Sequence, residues 1–132
     1  EALEDFGSLI GVSFQILDDA LDFLGSRSLL GKLTDSDLSQ GKVTLPVILL
    51  RDYASSSELA HLRSLFAGEK ASIAGVQKAR ELVKKYQTAE KVMAIARNKT
   101  EIALEKLVTF FPASRHRSHL EILARSLLTR LL

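Results

Sequence analysis

Four polar residues interrupt an otherwise apolar segment near the start of the chain: Gln15, Asp18, Asp19 and Asp22. In a helix, Gln15, Asp18 and Asp22 share one face, and Asp19 lies about 100° from Asp18. Carboxylates this close repel one another, so in apolar surroundings they must be protonated, paired with Arg or Lys, or bound to a hard cation. Oxygen ligands without His or Cys favour Mg²⁺ or Mn²⁺ over zinc.

The alternative interpretation is a solvated helix end with aspartates near a turn. The flanking sequence FQILDDALDFLG, residues 14–25, disfavours it because the neighbours are too apolar for a wet face. Residues 3–24 are apolar at most positions, which predicts one long, buried helix. Gly7 and Gly11 lie four residues apart, and their spacing predicts close approach by a neighbouring helix.

Two lysines follow the aspartates, each directly after a glycine: Lys32 after Gly31, and Lys42 after Gly41. Glycine gives the backbone freedom to bring such side chains to an anion. Mg²⁺ prefers to keep water and to share phosphate oxygens with one or two carboxylates. Aspartates, Mg²⁺ and lysines together describe a site that binds diphosphate.

The remaining sequence predicts helices without strands. Turn-forming residues make 25–42 a loop. A loop of this length is usually functional or disordered, and its regularly placed charges favour function. Helical periodicity predicts four further helical segments, which are 44–54, 58–67, 72–111 and 115–131. We expect a break near 84–88 within the segment 72–111. Pro46 suits a first helical turn, and Pro112 ends a helix. Ser114 and the run Ser55, Ser56 and Ser57 suit N-caps. We therefore expect an all-α fold in one domain.

Composition excludes several classes of function. The chain of 132 residues has no Cys, which excludes disulfide scaffolds, zinc–thiolate sites and iron–sulfur clusters. Aromatic residues make up 6%, too few for a nucleic-acid stacking surface. Residues 1–60 hold four basic and ten acidic side chains, and 61–132 hold fourteen and six. Because the later basic residues alternate with apolar ones at helical spacing, we interpret them mainly as solvated helix faces.

Neither a membrane-spanning run nor a secretory signal is present in the sequence, which favours a soluble, cytoplasmic domain. The chain begins at Glu1 and its only methionine is Met93, so we expect a fragment of a longer protein. The helices absent from a fragment would leave apolar surface bare, and we predict self-association of the isolated chain.

The motifs around the aspartates resemble those of the trans-isoprenyl diphosphate synthases in order and spacing. They are FQILDDALD at 14–22, LGK at 30–32, SDL at 36–38 and GKVTLP at 41–46. The resemblance implies an all-α helical bundle of the isoprenoid synthase type, usually homodimeric, with 1–132 as the C-terminal part of a polyprenyl synthase domain. It implies head-to-tail condensation of an allylic diphosphate with isopentenyl diphosphate.

Residue by residue, the resemblance assigns roles to the predicted site. Asp18, Asp19 and Asp22 match the second of two aspartate-rich motifs, which binds Mg²⁺ that bridges to the allylic diphosphate. Lys32 matches a lysine that contacts the same diphosphate. With Asp18 and Asp19, it forms the implied catalytic set.

Other matches imply supporting roles. Phe14 and Gln15 match a pair that lines the reaction centre, and Lys42 and Asp37 match positions in a loop that closes over the site. Asp35 departs from the pattern, since glycine is common there. The first aspartate-rich motif and the upstream residues for isopentenyl diphosphate are missing, so we expect the chain to be inactive alone.

Three other interpretations remain. A terpene cyclase uses similar metal–diphosphate chemistry, but the run from LGK to GKVTLP disfavours it. A non-catalytic subunit of a heteromeric prenyl synthase is disfavoured by the intact aspartate motif. A helical interaction module with an acidic stripe would not bind diphosphate in an Mg²⁺-dependent manner.

Overall fold

The computed structural model describes residues 1–24, 38–66 and 72–129, and within these ranges every regular element is helical. The helices are α1 (Ala2–Leu24), α2 (Leu45–Ile48), α3 (Leu50–Tyr53), α4 (Ser56–Leu65), α5 (Ile73–Tyr86), α6 (Thr88–Phe110) and α7 (Arg115–Thr129). The predicted all-α class is confirmed. The predicted loop spans 25–42, and its residues 25–37 lie outside the described residues. The predicted end of the last helix, at 131, also lies outside them.

The chain divides into two compact units, Glu1–Asp18 with Met93–Leu132, and Asp19–Val92. The division falls within α1 and within α6, so each of these helices contributes residues to both units. Each unit has its own apolar core.

In the first unit, α1 packs against α6 and α7. Its core consists of Phe6, Ala103, Leu104, Leu107 and Ala124. Beside this core, the buried Ser13 hydroxyl donates a hydrogen bond of 3.1 Å to the carbonyl of Ala96. The buried Thr100 hydroxyl donates to the same carbonyl at 3.0 Å. Both buried hydroxyls are therefore hydrogen-bonded, as burial requires.

In the second unit, the core is built largely on α5. Its buried members are Leu38, Val47, Leu50, Leu62, Val76, Ala79, Leu82, Val83 and Ala89. Gly75 lets α5 approach α4 closely, since a Cβ there would lie 3.0 Å from the Leu65 carbonyl oxygen. One face of α5 is thus buried in the core of this unit.

A carboxylate network also joins α4 to α5. Glu58 accepts hydrogen bonds from the Lys85 ammonium at 2.7 Å and from the Tyr86 hydroxyl at 2.7 Å. It also completes a capping box with Ser55. The Lys85 ammonium, followed by the Tyr86 hydroxyl, holds the pKa of Glu58 well below its ordinary value of 4.5. The predicted cap within the run Ser55, Ser56 and Ser57 is confirmed, and Ser55 is the residue that forms it.

Helix ends follow the predicted signals. The Ser114 hydroxyl accepts a hydrogen bond from the Arg117 amide at 3.1 Å, which confirms the predicted cap of α7. The predicted break near 84–88 is Gln87, which adopts the left-handed conformation with φ 52° and ψ 38°. The predicted helix 44–54 is instead two short helices. At Leu49 the hydrogen bonding tightens, since its carbonyl accepts from the Asp52 amide three residues on.

Burial of α1 differs from the prediction. Its buried residues, Phe6, Ser13, Leu17 and Ala20, form one stripe, while Leu3, Val12 and Phe14 are exposed. No described atom lies within 4 Å of a Cβ built at Gly7 or Gly11, so the predicted close approach is absent among the described residues. The prediction of burial all round is wrong here because only one face of α1 packs against described helices.

None of the helices in the described ranges combines the length and apolar character needed to cross a bilayer.

Candidate functional site

The candidate site is the C-terminal part of α1, which carries all three predicted aspartates on its last two turns. Asp18 is exposed, whereas Asp19 and Asp22 are half-buried. Asp18 makes no hydrogen bond or ion pair with any residue that the structure describes. Asp18 is therefore not in the apolar surroundings that the sequence predicts, and its role as a metal ligand stays a prediction.

Asp19 contacts the segment that contains the GKVTLP motif. Its Oδ2 accepts a hydrogen bond of 3.4 Å from the main-chain amide of Leu45, the first residue of α2. Pro46 follows in the first turn of α2, as predicted, and is buried. The second unit thus brings one aspartate of the predicted motif together with the GKVTLP segment.

Asp22 is held through its main chain. The carbonyl of Asp22 accepts a hydrogen bond of 3.2 Å from the guanidinium of Arg80 on α5. The same guanidinium lies over the ring of Phe23, 5.5 Å from its centroid. Because α5 is fixed by the core, these contacts position the last turn of α1.

Beside this turn, the second unit has a cavity of about 670 Å³. Its walls combine Phe23 and Val83 with the charged side chains Arg80, Glu81 and Lys84. A cavity of this volume falls within the range that small-molecule sites occupy.

The other predicted residues are less informative. Phe14 is 41% exposed and Gln15 is exposed, both one to two turns before the aspartates on α1. Lys42 is exposed and precedes α2 by three residues. Lys32 and Asp37 lie outside the described residues.

As metal ligands, the aspartates provide only part of a coordination sphere. Among the described residues, no group of three or more His, Cys, Asp or Glu side chains is arranged to hold a metal ion. The donor set consists of carboxylate oxygens, which suits Mg²⁺ or Mn²⁺. Mg²⁺ takes one or two protein carboxylates together with water and phosphate oxygens, so the residues present fit that mode of binding.

Two contacts of the site were missed by the sequence interpretation. Arg80 was included among the solvated basic residues, although it follows the buried Ala79 and lies four residues after the buried Val76. That position next to the apolar stripe of α5 is the signal that could have identified it. The Leu45 amide is a main-chain donor, which has no side-chain signal in the sequence.

A family model described as polyprenyl synthetase matches residues 1–83. Solanesyl diphosphate synthase 2, chloroplastic, of Arabidopsis thaliana is 36% identical over 121 residues, which cover 92% of this chain and 28% of that protein. Heptaprenyl diphosphate synthase component 2 of Bacillus subtilis is 36% identical over 126 residues, which cover 95% of this chain and 34% of that protein. The chain thus spans about a third of the curated relatives it matches.

The fold is also similar to solved structures. A polyprenyl synthase from Caulobacter crescentus CB15, complexed with calcium and isoprenyl diphosphate, superimposes with a TM-score of 0.80 at 32% identity. The match covers 100% of this chain and 40% of that one.

Proposed function

The chain belongs to the polyprenyl synthetase family, and we propose that it supplies the second aspartate-rich motif of a trans-prenyltransferase. In the complete protein, the reaction joins an allylic diphosphate head to tail with isopentenyl diphosphate. Because the chain spans about a third of its relatives, we propose that it is inactive alone and acts as the C-terminal part of the active site.

The observation that carries this proposal is the position of Asp18, Asp19 and Asp22 on the last two turns of one helix, inside the segment matched by the family model. Asp19 lies against the GKVTLP segment through the Leu45 amide. Carboxylates grouped on one helix turn suit metal-assisted binding of a diphosphate, because Mg²⁺ is shared between one or two carboxylates and phosphate oxygens. The Caulobacter structure, which contains calcium and isoprenyl diphosphate, adds support from a relative.

We assign the metal to these carboxylates. Asp18, Asp19 and Asp22 would hold Mg²⁺, or Mn²⁺ in its place, together with diphosphate oxygens. When bound, the ion neutralises the negative charge that develops on the diphosphate leaving group. The exposed carboxylate of Asp18 is accessible to such an ion without rearrangement of the helix.

Lys32 and Lys42 would add positive charge around the same diphosphate. Departure of the diphosphate leaves an allylic cation, which needs surroundings free of nucleophiles. Phe14 would contribute an aromatic face to that cation, and Gln15 would line the reaction centre beside it. The alkene of isopentenyl diphosphate then attacks the cation, and the released diphosphate accepts a proton from the resulting cation, which restores a double bond.

The proposal also covers the oligomeric state and the cellular location of the complete protein. We propose that the complete protein is a homo-oligomer. The cytoplasmic location expected from the sequence stays a prediction, because the Arabidopsis relative is named chloroplastic.

The proposal is tested with the complete protein that carries this chain, an allylic diphosphate and radiolabelled isopentenyl diphosphate. We expect Mg²⁺-dependent formation of a longer prenyl diphosphate, lost in Asp18→Asn and Asp19→Asn. Asp52→Asn is the matched control, since Asp52 is an exposed aspartate paired with Arg51 on α3. Full activity of the Asp18 and Asp19 variants would contradict the assignment.

A second candidate is a component of an enzyme made of two different chains. The name of the Bacillus relative, component 2 of a heptaprenyl diphosphate synthase, favours it. A protein that forms product only after a second, different chain is added would support this candidate over a homo-oligomer.

A further inference from the structure

Towards the C-terminal end of α1, which is described to Leu24, the carbonyl of Asp22 accepts a hydrogen bond from outside the helix. Main-chain carbonyls near a helix C-terminus are the groups that such donors satisfy. A positive charge near this end would also stabilise the helix dipole. No basic residue occurs in the last turn of α1 itself.

Arg80 supplies a hydrogen-bond donor and a positive charge from a different helix, α5. It donates a hydrogen bond of 3.2 Å to the Asp22 carbonyl, and its guanidinium lies 5.5 Å from the centroid of the Phe23 ring. Arg80 is half-buried, and its neighbours Ala79 and Val83 belong to the core. The guanidinium is therefore held at a fixed place while it contacts two consecutive residues of α1.

We propose that Arg80 is a positioning residue for the aspartate-bearing turn, and that it sets where the Asp19 and Asp22 carboxylates lie for binding of Mg²⁺ and diphosphate. This inference rests on the proposed function of the aspartates. The hydrogen bond is made to the main chain of Asp22, so it fixes the backbone from which the carboxylate extends. The Leu45 amide, 3.4 Å from Asp19, holds the other side of the same turn.

The second unit contains a matched contact away from the aspartates. Lys91 donates a hydrogen bond of 3.0 Å to the carbonyl of Tyr86, the last residue of α5, and its ammonium lies 4.8 Å from the centroid of the Tyr53 ring. Lys91 thus makes the same two kinds of contact as Arg80, at the end of a helix that carries no aspartate. A difference between the two sites reports on the aspartates rather than on helix capping in general.

The experiment compares Arg80→Met, Arg80→Lys and Lys91→Met in the complete protein. Methionine keeps an apolar chain without donors or charge, and the cavity beside Arg80 gives the new side chain room. Calorimetry measures binding of inorganic diphosphate over a series of Mg²⁺ concentrations. Amide hydrogen exchange over residues 19–24 and thermal unfolding are measured on the same samples.

We expect Arg80→Met to raise the Mg²⁺ concentration at half-saturation about 10-fold, the lower end of what loss of a metal-site support costs. Exchange over 19–24 should accelerate in this variant. Arg80→Lys should restore only part of the affinity, because the ammonium retains charge and a donor but not the planar contact with the Phe23 ring. Lys91→Met should leave the Mg²⁺ requirement unchanged even where it lowers the melting temperature.

The outcomes separate the two proposals. If the wild type binds diphosphate in an Mg²⁺-dependent manner and Arg80→Met does not change the Mg²⁺ requirement, the role of Arg80 is wrong and the proposed function stands. The role is equally wrong if Lys91→Met shifts that requirement as much as Arg80→Met. If the wild type binds no diphosphate at any Mg²⁺ concentration, the proposed function fails, and the inference fails with it.

Discussion

Replacement of Asp18 by alanine should make the protein more stable and at the same time abolish Mg²⁺-dependent binding of diphosphate. Asp18 is exposed and makes no hydrogen bond or ion pair with another described residue. Its removal therefore breaks no recorded contact of the fold. A residue that costs stability and yet is required for binding serves function rather than structure.

The gain in stability has two sources. Alanine is favoured over aspartate inside a helix by about 0.6 kcal/mol. Asp18 and Asp22 lie four residues apart on α1, and removal of this like-charge pair contributes about 0.3 kcal/mol. Together they raise the free energy of unfolding by about 1 kcal/mol, and the melting temperature rises with it.

The matched control is Asp5→Ala in the first turns of the same helix. Asp5 accepts a hydrogen bond of 2.7 Å from the Lys106 ammonium, and this contact holds the pKa of Asp5 below its ordinary value. Asp5 also lies at the end of the helix where negative charge is favourable. Asp5→Ala should therefore lower the melting temperature and leave diphosphate binding unchanged, the opposite of Asp18→Ala on both counts.

Thermal unfolding measures the stability of the two variants, and calorimetric titration with Mg²⁺ and inorganic diphosphate measures their binding. Normal binding by Asp18→Ala would refute its role as a metal ligand. A fall of more than 1 kcal/mol in the unfolding free energy would instead show that the carboxylate supports the fold, and the reasoning from its exposure would be wrong.

Three further predictions concern the fold. Glu58→Gln should lower the melting temperature at pH 7, because Lys85 lowers the pKa of Glu58 in the folded state and the ionised carboxylate therefore stabilises the fold. Protonation removes that stabilisation, so the difference in melting temperature between the variant and the wild type should shrink as the pH falls below 4.5. Unfolding scans from pH 7 to pH 2 measure this difference. Ser13→Ala should cost about 1 kcal/mol in urea unfolding, since the hydrogen bond to the Ala96 carbonyl is lost. Gly75→Ala should lower stability by about 1–2 kcal/mol in the same assay, because the new Cβ lies 3.0 Å from a carbonyl oxygen of α4.

The helices could be predicted because their signals are local. Ser55 and Ser114 cap helices where the sequence indicates, and the length of the segment 72–111 alone requires the break found at Gln87. The residue that adopts the left-handed conformation could not be identified, since it is glutamine rather than glycine. The division of 44–54 at Leu49 depends on hydrogen-bond register, which the apolar pattern does not specify.

Only some residues of the candidate site have a local signal in the sequence. The aspartates stand out because acidic residues are rare on an apolar helix. Arg80 resembles any other basic residue at helical spacing, and only the packing of α5 turns it toward the Asp22 carbonyl. The exposure of Asp18 depends on which helices cover α1, and a sequence read by itself does not contain that information.

The buried Ser13 hydroxyl also determines the register of α1 along α6. A slip of one helix by a single turn moves it about 5.4 Å and separates this hydroxyl from its acceptor at Ala96. An unsatisfied buried hydroxyl costs about 1–3 kcal/mol, so the slipped arrangement becomes about 5- to 150-fold rarer. Asp18 lies five residues beyond Ser13, about 7.5 Å along the axis. The hydrogen bond of Ser13 therefore helps to fix the position of the Asp18 carboxylate along the axis of α1.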